Sequence, residues 1–324
     1  MSGALVISLD FELHWGVRDH VPMTPQTAAT MRSTRGVVEE LCLRFADAGV
    51  AATWATVGML FARGRAEMDA FTPAVRPDYA NPALDPFGEA VGESEAADPA
   101  HYARSLIERI RATPGQEIGT HTYAHYYCLD DRAGAAAFEA DLASAVAIAG
   151  TMGIELRSIV FPRNQVHPAC LEVLPRHGIR TYRGNAVLGG PGARQDPISR
   201  RLQRVARFAD AFVPLSGRQD VPWREIVERP GLRNVRASMF LRAHAPRDPA
   251  LARLHLRRVI RGMRHAAHSG SVFHLWWHPH NFARHPKHCF SVLDAILAEY
   301  ARLQDAEGMR SLTMDEAADV AAGN

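Results

Sequence analysis

The feature that most constrains this chain is an alternation. Short apolar runs suited to buried strands recur between segments whose apolar residues fall at helical spacing. ALVISLD (4–10), VAATWATVG (50–58), EIGTH (117–121), RSIVF (157–161), IRTYR (179–183), NVRASMFLR (234–242), SVFHLWW (271–277) and SLTM (311–314) read as strands. The intervening helices are expected over 28–48, stopping at Gly49; from the second strand to about residue 70; over about 132–151; from Pro168 to a glycine stop at Gly178; over 249–268; over 288–305; and at the end, opened by DEAADV. Strand–helix alternation of this kind builds a parallel sheet covered by helices, an α/β fold. The 324 residues suit a barrel, which takes roughly 250 residues plus insertions. An open doubly wound sheet is the alternative, but no GxGxxG follows the first run, so dinucleotide binding has no support. Residues 72–99, rich in Pro, Asp, Glu and Ala, and residues 184–233, rich in Gly, Arg and Pro, break the rhythm and read as insertions. No internal repeat or low-complexity linker divides the chain, so 1–324 is expected to be a single domain.

Polar residues collect where these runs end. Asp10 and Glu12 close the first, His121 and His125 the third, Arg163 and Asn164 the fourth, and His278 and His280 the seventh. In a parallel barrel the chemistry projects from the carboxyl ends of the strands. Asp10 and Glu12 share one face if the strand runs through both. The spacing of His121 and His125 lets both imidazoles reach one metal ion, although sixteen histidines make a chance pair common. The sequence is not HExxH, since Thr122 follows the first histidine. WWHPHNF (276–282) surrounds two histidines with an apolar wall, which suits either sugar stacking or an aromatic core edge.

Taken in order, these segments resemble the polysaccharide deacetylase family (nodulation-type chitooligosaccharide deacetylases, carbohydrate esterase family 4). SLDFE stands where that family has its acidic motif, HTYAH matches its His-Ser/Thr-x-x-His motif, FPRNQ is similar to its arginine–proline motif, and LWWHP to its late leucine–histidine motif. The resemblance covers about residues 5–282 and implies a distorted, incomplete (β/α)7 barrel. It further implies a divalent metal, zinc in most members, held by Glu12, His121 and His125. Asp10 would be the base, Arg163 its orienting partner, and His278 the acid. Trp276, Trp277, His280 and Asn164 are assigned to substrate binding, with His280 competing for the acid role. The chain departs from the family in its Asp-Phe-Glu order, in Glu12 standing for an aspartate, and in the order of residues around Arg163.

The activity implied is hydrolysis of an N-acetyl or N-formyl group on an amino sugar or glycan by metal-activated water. Two alternatives stand beside it: a cyclic ureide or imide amidohydrolase on the same barrel, and a metal-free glycan-binding relative. MSGALVISLDFEL has no basic segment followed by an apolar one, and the four cysteines form no CxxC, so a cytoplasmic protein with reduced thiols is expected. The substrate would then be free, nucleotide-linked or lipid-linked. No apolar run is long enough to cross a membrane, and a net charge of +2 gives no footprint for nucleic acid. Two basic stretches, 198–207 and 253–264, read first as solvated helix faces. The oligomeric state is left open, a homo-oligomer included.

Overall fold

The computed structural model describes residues 1–130, 132–186, 217, 219–229, 231–243 and 249–323. In chain order its strands are β1 (Ala4–Phe11), β2 (Ala52–Thr56), β3 (Gln116–Thr120), β4 (Ser158–Ile159), β5 (Thr181–Tyr182), β6 (Val227–Arg229), β7 (Leu232–Asn234), β8 (Met239–Phe240), β9 (Val272–Trp277) and β10 (Arg310–Leu312). The helices are α1 (Pro25–Asp47), α2 (Arg65–Ala70), α3 (Arg104–Arg111), α4 (Ala135–Gly150), α5 (Pro168–Val173), α6 (Pro249–Ser269), α7 (Pro286–Glu307) and α8 (Met314–Ala322).

The sheet runs β6-β7-β5-β4-β3-β2-β1-β9-β8, with β10 beside the first half of β1. Every pairing is parallel except β6 with β7. It curls into an incomplete (β/α)7 barrel, as the sequence leads one to expect. β1 lies at its centre and is buried along its whole length, so its side chains on both faces meet protein. Helix ends follow local chemistry. Thr24 caps α1 by accepting from the Thr27 amide, ahead of Pro25. Thr313 and Glu316 form a reciprocal capping box on α8.

One side of the barrel is far less regular than the other. β4, β5 and β8 are two residues each, where longer strands are expected from sequence. The run 234–242 is not one strand. Its middle crosses the gap in the barrel instead: the amides of Val235 and Ala237 donate to Tyr182 O (3.0 Å) and Gly184 O (2.9 Å), and that of Ser238 to His274 O (2.8 Å). Serving two different neighbours in four residues is incompatible with a straight ladder. The first insertion, 72–99, holds one short 3-10 turn at Pro82–Leu84. Most of the second lies outside the described residues, as does the basic stretch 198–207. The stretch 253–264 lies on α6, with Arg253, Arg257 and Arg261 exposed and Val259 and Met263 buried. Among the described residues no helix is long and apolar enough to cross a membrane.

Candidate active site

Asp10 sits at the carboxyl end of β1, 2 % exposed. Arg183, just past β5 and itself fully buried, grips it with two parallel bonds: Nη1 donates to Oδ1 at 2.7 Å and Nη2 to Oδ2 at 2.8 Å. The guanidinium also donates to Ser8 Oγ and to Asn164 Oδ1, both at 2.9 Å, and lies 4.1 Å from the Trp276 ring centre. Both terminal nitrogens make two bonds each, which holds the fork in place, while Nε is buried without a partner. Burial alone would push the Asp10 carboxyl up, but the Arg183 charge and nearby His278 and His121 hold it below the usual carboxylate range.

The partner of Asp10 is therefore Arg183 and not Arg163. Arg163 is an exposed residue, 40 % accessible, paired with Asp19 and set over the Tyr127 ring. The reason is backbone geometry. Arg163 and Asn164 both adopt φ of 54° in the turn after β4, and there Asn164 meets Arg183 while its neighbour Arg163 meets Asp19. Asn164, assigned to substrate, has its acceptor oxygen committed to Arg183.

Glu12 follows β1 and stands between two histidines. Its Oε2 is 3.3 Å from His121 Nε2 and 3.3 Å from His125 Nε2. Burial opposes ionisation of Glu12, yet His278, His121 and His125 keep it well below the carboxylate norm. Two local features make room for this arrangement. A Cβ on Gly16 would overlap the Glu12 carboxyl, so any larger residue there would displace that carboxyl. Asp141, on α4, accepts from the amides of Tyr123 (2.6 Å) and Ala124 (3.0 Å), pinning the loop between the histidines. Its own burial pushes the Asp141 carboxyl up to about 7. Among the described residues, the non-glycine positions with positive φ are Leu13, Thr122, His125, Arg163 and Asn164. All lie in the loops following β1, β3 and β4, where the site is built. Strain concentrated in this way is a mark of a functional mouth held in place by its surroundings.

His278 closes the site from β9. Its Nε2 is 3.6 Å from both Asp10 Oδ2 and Glu12 Oε1. His280 Nδ1 lies 3.8 Å from Glu12 Oε1, and burial together with the His278 charge pushes its imidazole down to about 4. Trp276 is half-buried beside Phe240 and His278, ring centres 4.6 and 5.7 Å away. Trp277 is not at the site: it is fully buried, stacked on Phe282 and against Phe45. Alternation along β9 sends the two tryptophans to opposite faces.

Glu12, His121 and His125 satisfy a simple test for a divalent ion. Their donor atoms all lie within 4.8 Å of one another and are buried. His121 Nδ1 donates to Val160 O at 2.8 Å, which fixes its tautomer and leaves the Nε2 lone pair facing Glu12. That Nε2 is buried and makes no hydrogen bond. Burial lowers the basicity of His125, favouring the neutral ring a metal requires. Two ligands ~2.0–2.1 Å from one tetrahedral ion stand roughly 3.3 Å apart, the spacing seen here. One carboxylate and two imidazoles suit zinc and leave a coordination position open.

The fold is similar to that of solved structures assigned as polysaccharide deacetylases. The chain aligns over its full length with 92 % of a protein from Mycobacterium smegmatis assigned as a polysaccharide deacetylase, at a TM-score of 0.59 and 12 % identity. It aligns over 98 % of its length with 89 % of one so assigned from Pseudomonas aeruginosa PAO1 (TM-score 0.54, 11 % identity). A Puue allantoinase is similar too, over 98 % of this chain and 88 % of its own (TM-score 0.52, 9 % identity). No family model and no curated protein matches the sequence.

Proposed function

We propose that the chain is a metal-dependent hydrolase that removes an N-acyl group, acetyl or formyl, from an amino sugar or glycan. One observation carries this reading: a three-donor cluster of Glu12, His121 and His125 opens directly onto an ionised carboxylate, Asp10, and a histidine, His278, that stands 3.6 Å from both acids. The shared fold with proteins assigned as polysaccharide deacetylases supports it.

A divalent ion held by Glu12, His121 and His125 would supply Lewis acidity towards the acyl oxygen and lower the pKa of water. Asp10, kept ionised by Arg183, takes the proton from the attacking water. His278 gives a proton to the departing nitrogen, without which an amine does not leave. Each such transfer is worth roughly 10²–10⁴ in rate. His280 is poorly suited to the donor role: it is neutral at physiological pH and a little farther from Glu12 than His278 is. Trp276 and Phe240 offer an apolar face beside the reacting groups on which a sugar ring stacks. Trp277 has no part in this.

The test is acetate release from N-acetylated chito-oligosaccharides by zinc- or cobalt-loaded protein, with allantoin as the parallel substrate. Release that disappears in Asp10→Asn supports the reading. Turnover of allantoin alone would transfer the same residues to a ureide, the second reading that the allantoinase likeness favours. No turnover of either would leave a binding protein as the better account.

A further inference from the structure

A second histidine pair lies outside this site and beside it in sequence. His14, in the 3-10 turn Leu13–Gly16, and His101, two residues past the first insertion, are 1 % and 2 % exposed. Their rings cross at 82°, with His14 Nδ1 only 2.9 Å from His101 Nε2. The outer nitrogens are already spoken for. His14 Nε2 is 2.9 Å from Val21 O, and His101 Nδ1 is 2.7 Å from Asp98 Oδ2. Both of those partners only accept, so both outer nitrogens carry hydrogen. In neutral rings the two inner nitrogens are then lone pairs facing each other across 2.9 Å. Something positive must lie between them, a proton or a metal ion.

We propose that His14 Nδ1, His101 Nε2 and Glu89 bind a second divalent metal ion, of the zinc class, which ties the first insertion to the turn that follows Glu12. Two features favour a metal over a shared proton. The Glu89 carboxylate completes the set, with all three donor atoms within 4.8 Å of one another. A carboxylate on one outer imidazole nitrogen and a backbone carbonyl on the other are the usual supports of metal-ligating histidines. The opposing charge nearby is Arg18, whose Nη1 is 3.9 Å from Glu89 but also donates to Ala83 O. To accept a tetrahedral ion the rings must part by a few tenths of an ångström, to roughly 3.3 Å.

The site is distinct from the Glu12 cluster and can be counted separately. Metal content would be measured by elemental analysis of full-length protein loaded with zinc, and again with cobalt(II), then dialysed. The expected result is two equivalents in the native protein, and one in either His121→Ala or His101→Ala. In the cobalt form, the two histidine variants should lose different visible absorption bands. Asp98→Asn keeps the shape of the residue and is expected to weaken one of the two sites ~10–100-fold. One equivalent in the native protein, lost in His121→Ala and retained in His101→Ala, would overturn the proposal and assign a shared proton to the pair. Should His101→Ala fail to fold, two unchanged affinities in Asp98→Asn overturn it as well.

Discussion

The two sides of the barrel make unequal contributions. β1, β2, β3 and β9 are five to eight residues long and in continuous register; their ends deliver Asp10, Glu12, His121 and His278. β4, β5 and β8 are two residues each, and that side is held by two-residue ladders and by backbone bonds outside the strands. Yet the irregular side supplies Arg183 and Asn164, which fix the charge and aim of Asp10. The reacting groups come from the stiff side and their electrostatic setting from the irregular one. Geometry and charge are thus separable, and each can be broken alone.

The largest effect should come from the stiff side. Asp10→Asn keeps the shape but removes the base, and kcat/KM should fall by roughly 10²–10⁴ with metal content unchanged. A variant that keeps its activity would remove Asp10 from the chemistry. Next is Arg183→Met, which leaves a buried carboxylate without its partner, a loss of about 3–5 kcal/mol in stability by denaturant unfolding.

The sign of the pH response sharpens the same contrast. In the native protein the Asp10 carboxyl lies below its unfolded value of about 3.9. Its contribution to stability is therefore complete above that value and is lost as pH falls through the lowered one. Without Arg183, burial is the leading influence and raises the group. Arg183→Met should then gain thermal stability, relative to native protein, as pH is lowered through the raised value. An unchanged pH profile would contradict the assignment of Arg183 to Asp10.

Smaller effects separate the two tryptophans. Trp277→Ala should cost about 3–5 kcal/mol of stability, as expected for a large buried ring. Trp276→Ala should instead raise KM for a glycan while costing less stability. Gly16→Ala, which crowds the Glu12 carboxyl, should weaken metal binding at least ~10-fold with the fold intact. Equal metal affinity in Gly16→Ala would mean that Glu12 is not a ligand.

What could be read from sequence follows the same division. The long strands announce themselves by buried apolar runs, and Asp10, Glu12, His121, His125 and His278 stand where those runs end. HTYAH could be placed because a strand carries it to the mouth. Arg183 could not, because β5 is too short to give a period and the sequence around it, TYRGN, has no motif. FPRNQ pointed to the wrong arginine, since the sequence does not announce the two consecutive positive φ angles of the turn in which Asn164, and not Arg163, meets Arg183. Trp277 was misplaced for a related reason: WWHPH does not say which of two adjacent tryptophans faces the core, and only the register of β9 decides. Asp141 gave one faint signal, an acid on the buried face of an alanine-rich helix.

Metal content tests the central claim most directly. Purified protein would be loaded with zinc, dialysed, and compared with His121→Ala by elemental analysis. The account requires the variant to hold one equivalent fewer than the native chain and to lose acyl-group hydrolysis with it. No metal in either protein after loading, or equal metal in both, would contradict a centre built from Glu12, His121 and His125.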